Sequence, residues 1–116
     1  MSKQPTLYHN PRCSKSRQTL ALLQERGYHP KIVEYLKTPP TKSEITSLLD
    51  QLGMDAHDIV RSKETAYTEA ALSPQSKTSE VVSAIVDYPI LLERPIVCFD
   101  NKAAIGRPPE NVLNIL

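Results

Sequence analysis

Tryptophan is absent from this chain of 116 residues, glycine and cysteine are scarce, and the net charge is close to zero. Fourteen Lys and Arg residues against 13 Asp and Glu leave a formal net charge of +1, which argues against charge-driven binding of nucleic acid or of a membrane surface. The apolar runs are far shorter than the roughly 20 residues that a membrane-spanning helix needs. The three glycines, at positions 27, 53 and 106, are too far apart for a phosphate-binding glycine loop.

Two cysteines, Cys13 and Cys98, are too few for a disulfide framework or a four-sulfur zinc site. The first residues, Met1 to Pro5, lack the apolar stretch of a secretory signal, so we expect a cytoplasmic location. An apolar fraction of 40% and a charged fraction of 23% are those of an ordinary globular protein. Because no repeat or linker-like segment is present, residues 1–116 are predicted to form a single domain.

Short strand-like runs and helix-like periodicity alternate along the chain. Thr41 and Glu44 have the spacing of a capping box, and Gly27 and Gly53 stand where helices are expected to end. The order, βαβα, a helical middle and then ββα, predicts an α/β fold with a small mixed sheet flanked by helices. The predicted segments are strands at 6–8, 31–35, 96–99 and 103–106, helices at about 16–27, 41–53 and 79–88, one or two helical turns within 55–71, a hairpin turn at 100–102, and a last helix that opens at Pro108.

Cys13 stands between a predicted strand end and a predicted helix start. The unpaired amides and the positive dipole end of a helix N-terminus stabilise a thiolate, which is the nucleophilic form of cysteine. No acidic residue occurs between Met1 and Gln24, whereas five bases do, counting a protonated histidine. We therefore favour a reactive Cys13 over a buried, inert thiol. The bases are Lys3, His9, Arg12, Lys15 and Arg17.

Three of the residues around Cys13 are candidates for stabilising its thiolate. Ser16 is one helical turn on, and is either a hydrogen-bond donor to the thiolate or a solvated hydroxyl on the helix face. His9 either tunes the thiol or is a hydrogen-bonded structural residue, and Arg17 adds a nearby positive charge. Because Ser16 takes the place of the second cysteine of a Cys-x-x-Cys motif, an intermediate on Cys13 must be resolved by an external thiol.

Cys98 lies in an alternating β-rich run with no base within three residues, so we predict that it belongs to the core. A disulfide with Cys13 would need a Cα separation under about 7 Å, and the sequence leaves that pairing open. No metal site is predicted, because the remaining histidines and the central glutamates show neither ligand spacing nor paired carboxylates. These residues are His29, His57, Glu64 and Glu69.

Four separate motifs resemble, in order, those of the glutaredoxin-coupled arsenate reductases of the ArsC type. The resemblance runs from about Thr6 to Leu116, and Arg61 falls where that family has its first anion-binding arginine. Four motifs in the right order are a specific signal, although any one of them alone is weak. In this sequence they are residues 8–17 (YHNPRCSKSR), 35–41 (YLKTPPT), 89–97 (PILLERPIV) and 106–110 (GRPPE).

The resemblance implies a thioredoxin-like sheet with an inserted helical segment, a cis peptide bond before Pro95, and Cys13 as the catalytic nucleophile. It also implies three oxyanion-binding residues, which are Arg61, Arg94 and Arg107. Guanidinium groups suit a tetrahedral oxyanion because they stay charged and donate hydrogen bonds in pairs. The expected reaction converts arsenate to arsenite, with glutathione as co-substrate, glutaredoxin as partner and no bound cofactor.

Two other functions stay open on the sequence alone. The same thiol would suit a glutathione-dependent reductase of another substrate, such as a glutathione mixed disulfide. The superfamily also contains transcription regulators that bind RNA polymerase and sense oxidation through a Cys-x-x-Cys switch. Ser16 removes that switch here and the three arginines follow the enzyme pattern, so a redox-linked regulator is the less favoured alternative.

Overall fold

Short strands separated by helices build a four-stranded mixed sheet in the computed structural model, which describes residues 4–116. Met1, Ser2 and Lys3, and with them the first of the five bases counted above, lie outside the described residues. The strands are β1 (Thr6–Tyr8), β2 (Lys31–Val33), β3 (Ile96–Phe99) and β4 (Lys102–Ile105). The helices are α1 (Ser14–Glu25), α2 (Lys42–Leu52), α3 (Ala56–Ile59), α4 (Thr65–Glu69) and α5 (Thr78–Asp87), and 3₁₀ helices cover Pro89–Leu91 and Pro109–Ile115.

The chain divides into two compact units. The sheet unit runs as far as Thr38 and resumes at Arg94, so it contains β1 to β4, α1 and the last 3₁₀ helix. The helical unit runs from Pro39 to Glu93 and is the inserted helical segment that the resemblance implies. The single domain over residues 1–116 stays a prediction.

The sheet has the strand order β2-β1-β3-β4. β1 pairs in parallel with β2 and antiparallel with β3, and β4 returns antiparallel to β3. α1 is the crossover that parallel pairing of β1 and β2 requires. Leu7 and Val97, which face each other across β1 and β3, form a fully buried cluster with Leu23 of α1 and Val112 of the last 3₁₀ helix. The predicted α/β fold with a small mixed sheet is confirmed.

The bounds of two strands and the type of one helix differ from the prediction. β2 ends at Val33 rather than at residue 35, because the chain turns there and the amides of Lys37 and Thr38 both donate to the Glu34 carbonyl. β4 runs from Lys102 to Ile105, one residue earlier than predicted at both ends, since positive φ values at positions 100 and 101 (52° and 63°) make a two-residue turn. The last predicted helix is present, but as a 3₁₀ helix.

The helical unit begins as the sequence predicts. The Glu44 amide donates to Thr41 Oγ1 (3.1 Å) and the Thr41 amide donates to Glu44 Oε1 (3.0 Å), so the capping box of α2 is confirmed. Gly53 ends that helix in the left-handed conformation, with φ of 66°. The weak helical signal over 55–71 corresponds to the two short helices α3 and α4. Within residues 4–116 the helices are all too short or too polar to cross a bilayer.

Candidate active site

Cys13 immediately precedes the first turn of α1, and its thiol is buried. Its backbone is extended (φ −91°, ψ 123°), and its carbonyl accepts a hydrogen bond from the Arg17 amide. The Cys13 amide donates to the Asn10 carbonyl at 3.0 Å, which closes a tight turn between β1 and α1. The thiol therefore lies at the positive end of the helix dipole, where a negative charge is stabilised.

Side chains as well as backbone hold the turn before Cys13. Asn10 Oδ1 accepts a hydrogen bond from the Arg12 amide (3.0 Å), and Arg17 Nη1 donates to the Pro11 carbonyl (3.0 Å). Arg17, expected to stabilise the thiolate by its charge, thus has a direct contact with the loop carbonyl. That contact orders the turn, and the effect of the Arg17 charge on the thiolate stays a prediction.

His9 and Ser16 form a buried pair behind the turn. His9 Nδ1 lies 2.6 Å from Ser16 Oγ, and the same oxygen accepts a hydrogen bond from the Asn10 amide at 3.0 Å. The sequence left open whether Ser16 is solvated, and in the structure its side chain is fully buried. Its hydroxyl bonds to His9 and the loop amide rather than to the Cys13 sulfur, so its contribution to the thiolate would act through the loop.

Burial lowers the pKa of His9 from its ordinary value of 6.5. The carboxylate of Glu34 opposes that shift, and the positive charge of Arg17 adds to it. His9 is therefore neutral at physiological pH. As a neutral ring it serves the site through its hydrogen bond to Ser16.

Arg107 is the cation in contact with the Cys13 thiol. Its Nη2 donates to Cys13 Sγ at 3.8 Å, and its Nε donates to the Arg94 carbonyl at 2.7 Å. Nε and Nη1 of Arg94 are themselves buried. The expected cis peptide bond before Pro95 is present, and a second one, before Pro108, was not predicted. The structure thus joins Arg107 to the Arg94 backbone and to the thiol, and the role of the Arg94 guanidinium as an oxyanion ligand stays a prediction.

Sheet register explains how these residues meet. Tyr8, the last residue of β1, faces Ile96 of β3, and Ile96 faces Ile105, the last residue of β4. The end of β1, the start of β3 and the end of β4 therefore share one edge of the sheet. Arg94 precedes β3 and Arg107 follows β4, so both lie at the edge where the Cys13 turn begins.

Gly106 allows the end of β4 to approach α1 closely. A Cβ atom there would lie 2.6 Å from Thr19 Oγ1 and 2.8 Å from Pro95 Cγ, well inside contact distance. The Gly106 amide also donates to the Pro95 carbonyl at 2.9 Å. Sequence reasoning assigned no role to this glycine. Its position directly before Arg107 within a motif was the signal that could have identified it.

Arg61 belongs to the helical unit, between α3 and α4. Its amide donates to the Leu91 carbonyl at 2.7 Å, and its Nη1 forms an ion pair with Glu64 Oε1 at 2.6 Å. The i, i+3 spacing of the two residues could have indicated this pair. The role of Arg61 as an oxyanion ligand stays a prediction.

Cys98 is a free thiol on β3, as Cys13 is on its loop. It pairs with Thr6 of β1 and Ala103 of β4, and its side chain is half-buried rather than fully buried. Burial raises the pKa of Cys98 to about 11, so the thiolate form is disfavoured. Among residues 4–116, no cluster of His, Cys, Asp and Glu is arranged to hold a metal ion.

A four-stranded mixed sheet with a thiol at the N-terminus of its first helix, and a cis-proline before its third strand, defines a thioredoxin-like protein. Ser16 stands at the position that the second thiol of a Cys-x-x-Cys motif would take. Residues 8–115 match the model of the ArsC family, and the chain belongs to that family.

Relatives of known sequence and structure cover nearly all of the chain. The protein named YfgD of Escherichia coli K12 is 51% identical over an alignment of 118 positions, which covers 100% of this chain and 99% of that protein. An arsenate reductase of Neisseria meningitidis serogroup B is 46% identical, over 95% of this chain and 96% of its own. The solved structure of an arsenate reductase from Vibrio cholerae is 42% identical, covers both chains completely and superposes with a TM-score of 0.96.

Proposed function

We propose that this protein is an arsenate reductase in which Cys13 is the single catalytic cysteine and glutathione and glutaredoxin supply the electrons. The observation that carries the proposal is the 3.8 Å contact between Arg107 Nη2 and the Cys13 sulfur at the N-terminus of α1. A guanidinium in that position holds an oxyanion against the nucleophile. The relatives named as arsenate reductases support arsenate as that oxyanion.

The first step is attack of the Cys13 thiolate on arsenic. One As–O bond breaks, the oxygen leaves as water after protonation, and a sulfur–arsenic bond forms while arsenic stays pentavalent. The thiol of glutathione then displaces a second oxygen as water, so that arsenic carries both sulfur atoms. Neither step transfers electrons, and both need a cationic site to hold the remaining oxygens.

Reduction occurs when the glutaredoxin thiolate attacks the sulfur of the bound glutathione. A disulfide between glutaredoxin and glutathione forms, and the electron pair of the broken sulfur–arsenic bond stays on arsenic, which becomes trivalent. Water then displaces arsenic from Cys13, which releases arsenite and restores the thiol. The two electrons come from the two external thiols.

The arrangement around Cys13 supports an external reductant. Ser16 supplies a hydroxyl where a resolving cysteine would stand, and its oxygen is committed to His9 and the Asn10 amide. Cys98 is on β3 with its pKa raised to about 11, which makes it a poor attacking thiol at neutral pH. A free catalytic thiol and a glutathione supply also fit the reducing cytoplasm as the proposed location.

Arsenate-dependent NADPH consumption, measured with glutathione, glutathione reductase and glutaredoxin, tests the proposal. The wild type and Cys98→Ser are expected to be active, and Cys13→Ser inactive. Full activity of Cys13→Ser would refute Cys13 as the nucleophile. Wild-type turnover of a glutathionylated peptide without turnover of arsenate would instead assign a thiol reductase of another substrate.

A further inference from the structure

The basic residues around Cys13 differ in what their side chains already bind. Arg17 donates to the Pro11 carbonyl, and Arg107 donates to both the Arg94 carbonyl and the Cys13 sulfur. Within residues 4–116, the Arg12 guanidinium makes no hydrogen bond or ion pair, and its side chain is exposed. Arg12 is therefore the guanidinium beside the nucleophile that is available to a molecule arriving from solvent.

The backbone of Arg12 is nevertheless fixed. Its amide donates to Asn10 Oδ1 at 3.0 Å, the next amide, that of Cys13, donates to the Asn10 carbonyl at 3.0 Å, and the preceding carbonyl accepts from Arg17. These three hydrogen bonds order the turn that contains Arg12, the residue directly before Cys13. The backbone is therefore held in place, whereas the side chain is exposed to solvent.

Position and charge separate Arg12 from the other base close by. Lys15 lies in the first turn of α1 and is half-buried, whereas the Arg12 side chain is exposed. A planar guanidinium also pairs with a carboxylate through two parallel hydrogen bonds, which an ammonium cannot do. Residues 1–24 contain no acid, so no carboxylate adjoins Arg12 in sequence, and Glu34, whose charge acts on His9, forms an ion pair with Lys37.

We propose that Arg12 docks a carboxylate of the anionic thiol that reacts at Cys13, and that it acts on this second reactant rather than on the oxyanion. The inference rests on the proposed function, in which that thiol is glutathione, a peptide bearing carboxylates. The pair would be exposed to solvent, so we expect an effect of about two- to fivefold. Salt should weaken it, because exposed charge pairs are screened.

Steady-state kinetics give the first test. Arg12→Gln should raise KM for glutathione about two- to fivefold, while KM for arsenate and kcat at saturating glutathione stay within twofold. Arg26→Gln is the matched control, since it removes the same charge beyond the far end of α1, roughly 20 Å away at about 1.5 Å per residue. A rise in KM for arsenate with no change for glutathione would overturn the proposal.

Alkylation of Cys13 tests carboxylate capture without arsenate. The thiolate displaces iodide from either iodoacetate, which is anionic, or iodoacetamide, which is neutral, and the ratio of the two rates reports attraction of a carboxylate. Arg12→Gln should lower this ratio about two- to fivefold at low salt, and Arg26→Gln should leave it unchanged. An unchanged ratio in Arg12→Gln, or an equal fall in both variants, would overturn the proposal.

The two assays separate the inference from the function on which it rests. If the wild type does not reduce arsenate, the proposed function fails, yet the alkylation ratio still decides whether Arg12 captures a carboxylate. If arsenate is reduced and neither the glutathione KM nor the alkylation ratio depends on Arg12, the inference fails and the proposed function stands.

Discussion

Nε of Arg107 donates a 2.7 Å hydrogen bond to the backbone carbonyl of Arg94, and the same guanidinium reaches the Cys13 sulfur through Nη2. One side chain therefore joins the segment before β3 to the loop after β1. The bond fixes the plane of the guanidinium, because Nε and Nη2 belong to one rigid group. The orientation of this donor is set before any substrate arrives.

Two replacements of Arg107 should show whether its positive charge alone or the fixed geometry of its guanidinium matters for activity. We expect Arg107→Ala to lower kcat/KM for arsenate about 100-fold, as loss of a donor to a transition-state oxyanion does. Arg107→Lys should restore little of this, because an ammonium on a flexible stem cannot bond to the Arg94 carbonyl and present a second, fixed donor. Steady-state kinetics on both variants check the prediction, and near-complete recovery in Arg107→Lys would contradict it.

Gly106→Ala should destabilise the protein by about 1–3 kcal/mol, the usual cost of overpacking. The added methyl would lie 2.6 Å from Thr19 Oγ1 and 2.8 Å from Pro95 Cγ. Urea unfolding measures the loss. In a Thr19→Ala background the same substitution should cost less, because one of the two close contacts is gone, and equal costs in both backgrounds would argue against the contact.

His9 should make stability depend on pH. Because burial lowers the pKa of His9 below 6.5, the folded protein binds this proton less readily than the unfolded chain does. Protonation of His9 therefore has no effect on stability above about pH 6.5. Below that pH the unfolded chain binds the proton first, so the free energy of unfolding falls as the pH drops toward the lower folded-state pKa. Urea unfolding between pH 7.5 and 5 should show a smaller fall in His9→Asn than in the control His29→Asn.

A direct titration gives the direction of the His9 pKa shift independently of unfolding. An NMR titration of the wild-type imidazole signals should give a pKa below 6.5 for His9. A His9 pKa above that value would contradict the burial effect, whatever the unfolding data show.

Alkylation should distinguish the two cysteines. With its pKa raised to about 11, Cys98 is ionised in about one molecule in a thousand at pH 8. Iodoacetamide should therefore modify Cys13 first, and Cys98 should become reactive only as the pH approaches 11 or in urea. Mass spectrometry of the digested protein locates the label, and early labelling of Cys98 in the folded protein would contradict the prediction.

Local signals in the sequence were sufficient for the elements that depend on near neighbours. The capping box at Thr41 and Glu44 and the turn between β3 and β4 involve residues within a few positions of one another, so spacing predicts both, with the turn one residue shorter than expected. The end of β2 was misplaced because Tyr35 has a strand former's side chain but is buried beyond the strand end. Propensity does not reveal that a buried aromatic belongs to a turn.

In the candidate site, too, features set by nearby residues could be predicted and features set by tertiary contacts could not. The position of Cys13 at a helix start follows from the pattern around it, whereas the partner of Ser16 does not. Helix spacing pairs Ser16 with Cys13, yet its hydroxyl contacts His9, seven residues earlier and just beyond the end of β1. The clash that excludes a side chain at Gly106 likewise depends on Thr19 and Pro95, which only tertiary structure brings near.

The sheet unit is assembled from the two ends of the chain, and this has a consequence for synthesis on the ribosome. β1 and the Cys13 turn are made before the helical unit, and β3, β4 and Arg107 follow only after its 55 residues, from Pro39 to Glu93. A nascent chain thus carries the Cys13 thiol long before the arginine that contacts it. The thiol acquires its complete surroundings only after β4 and Arg107 have been made.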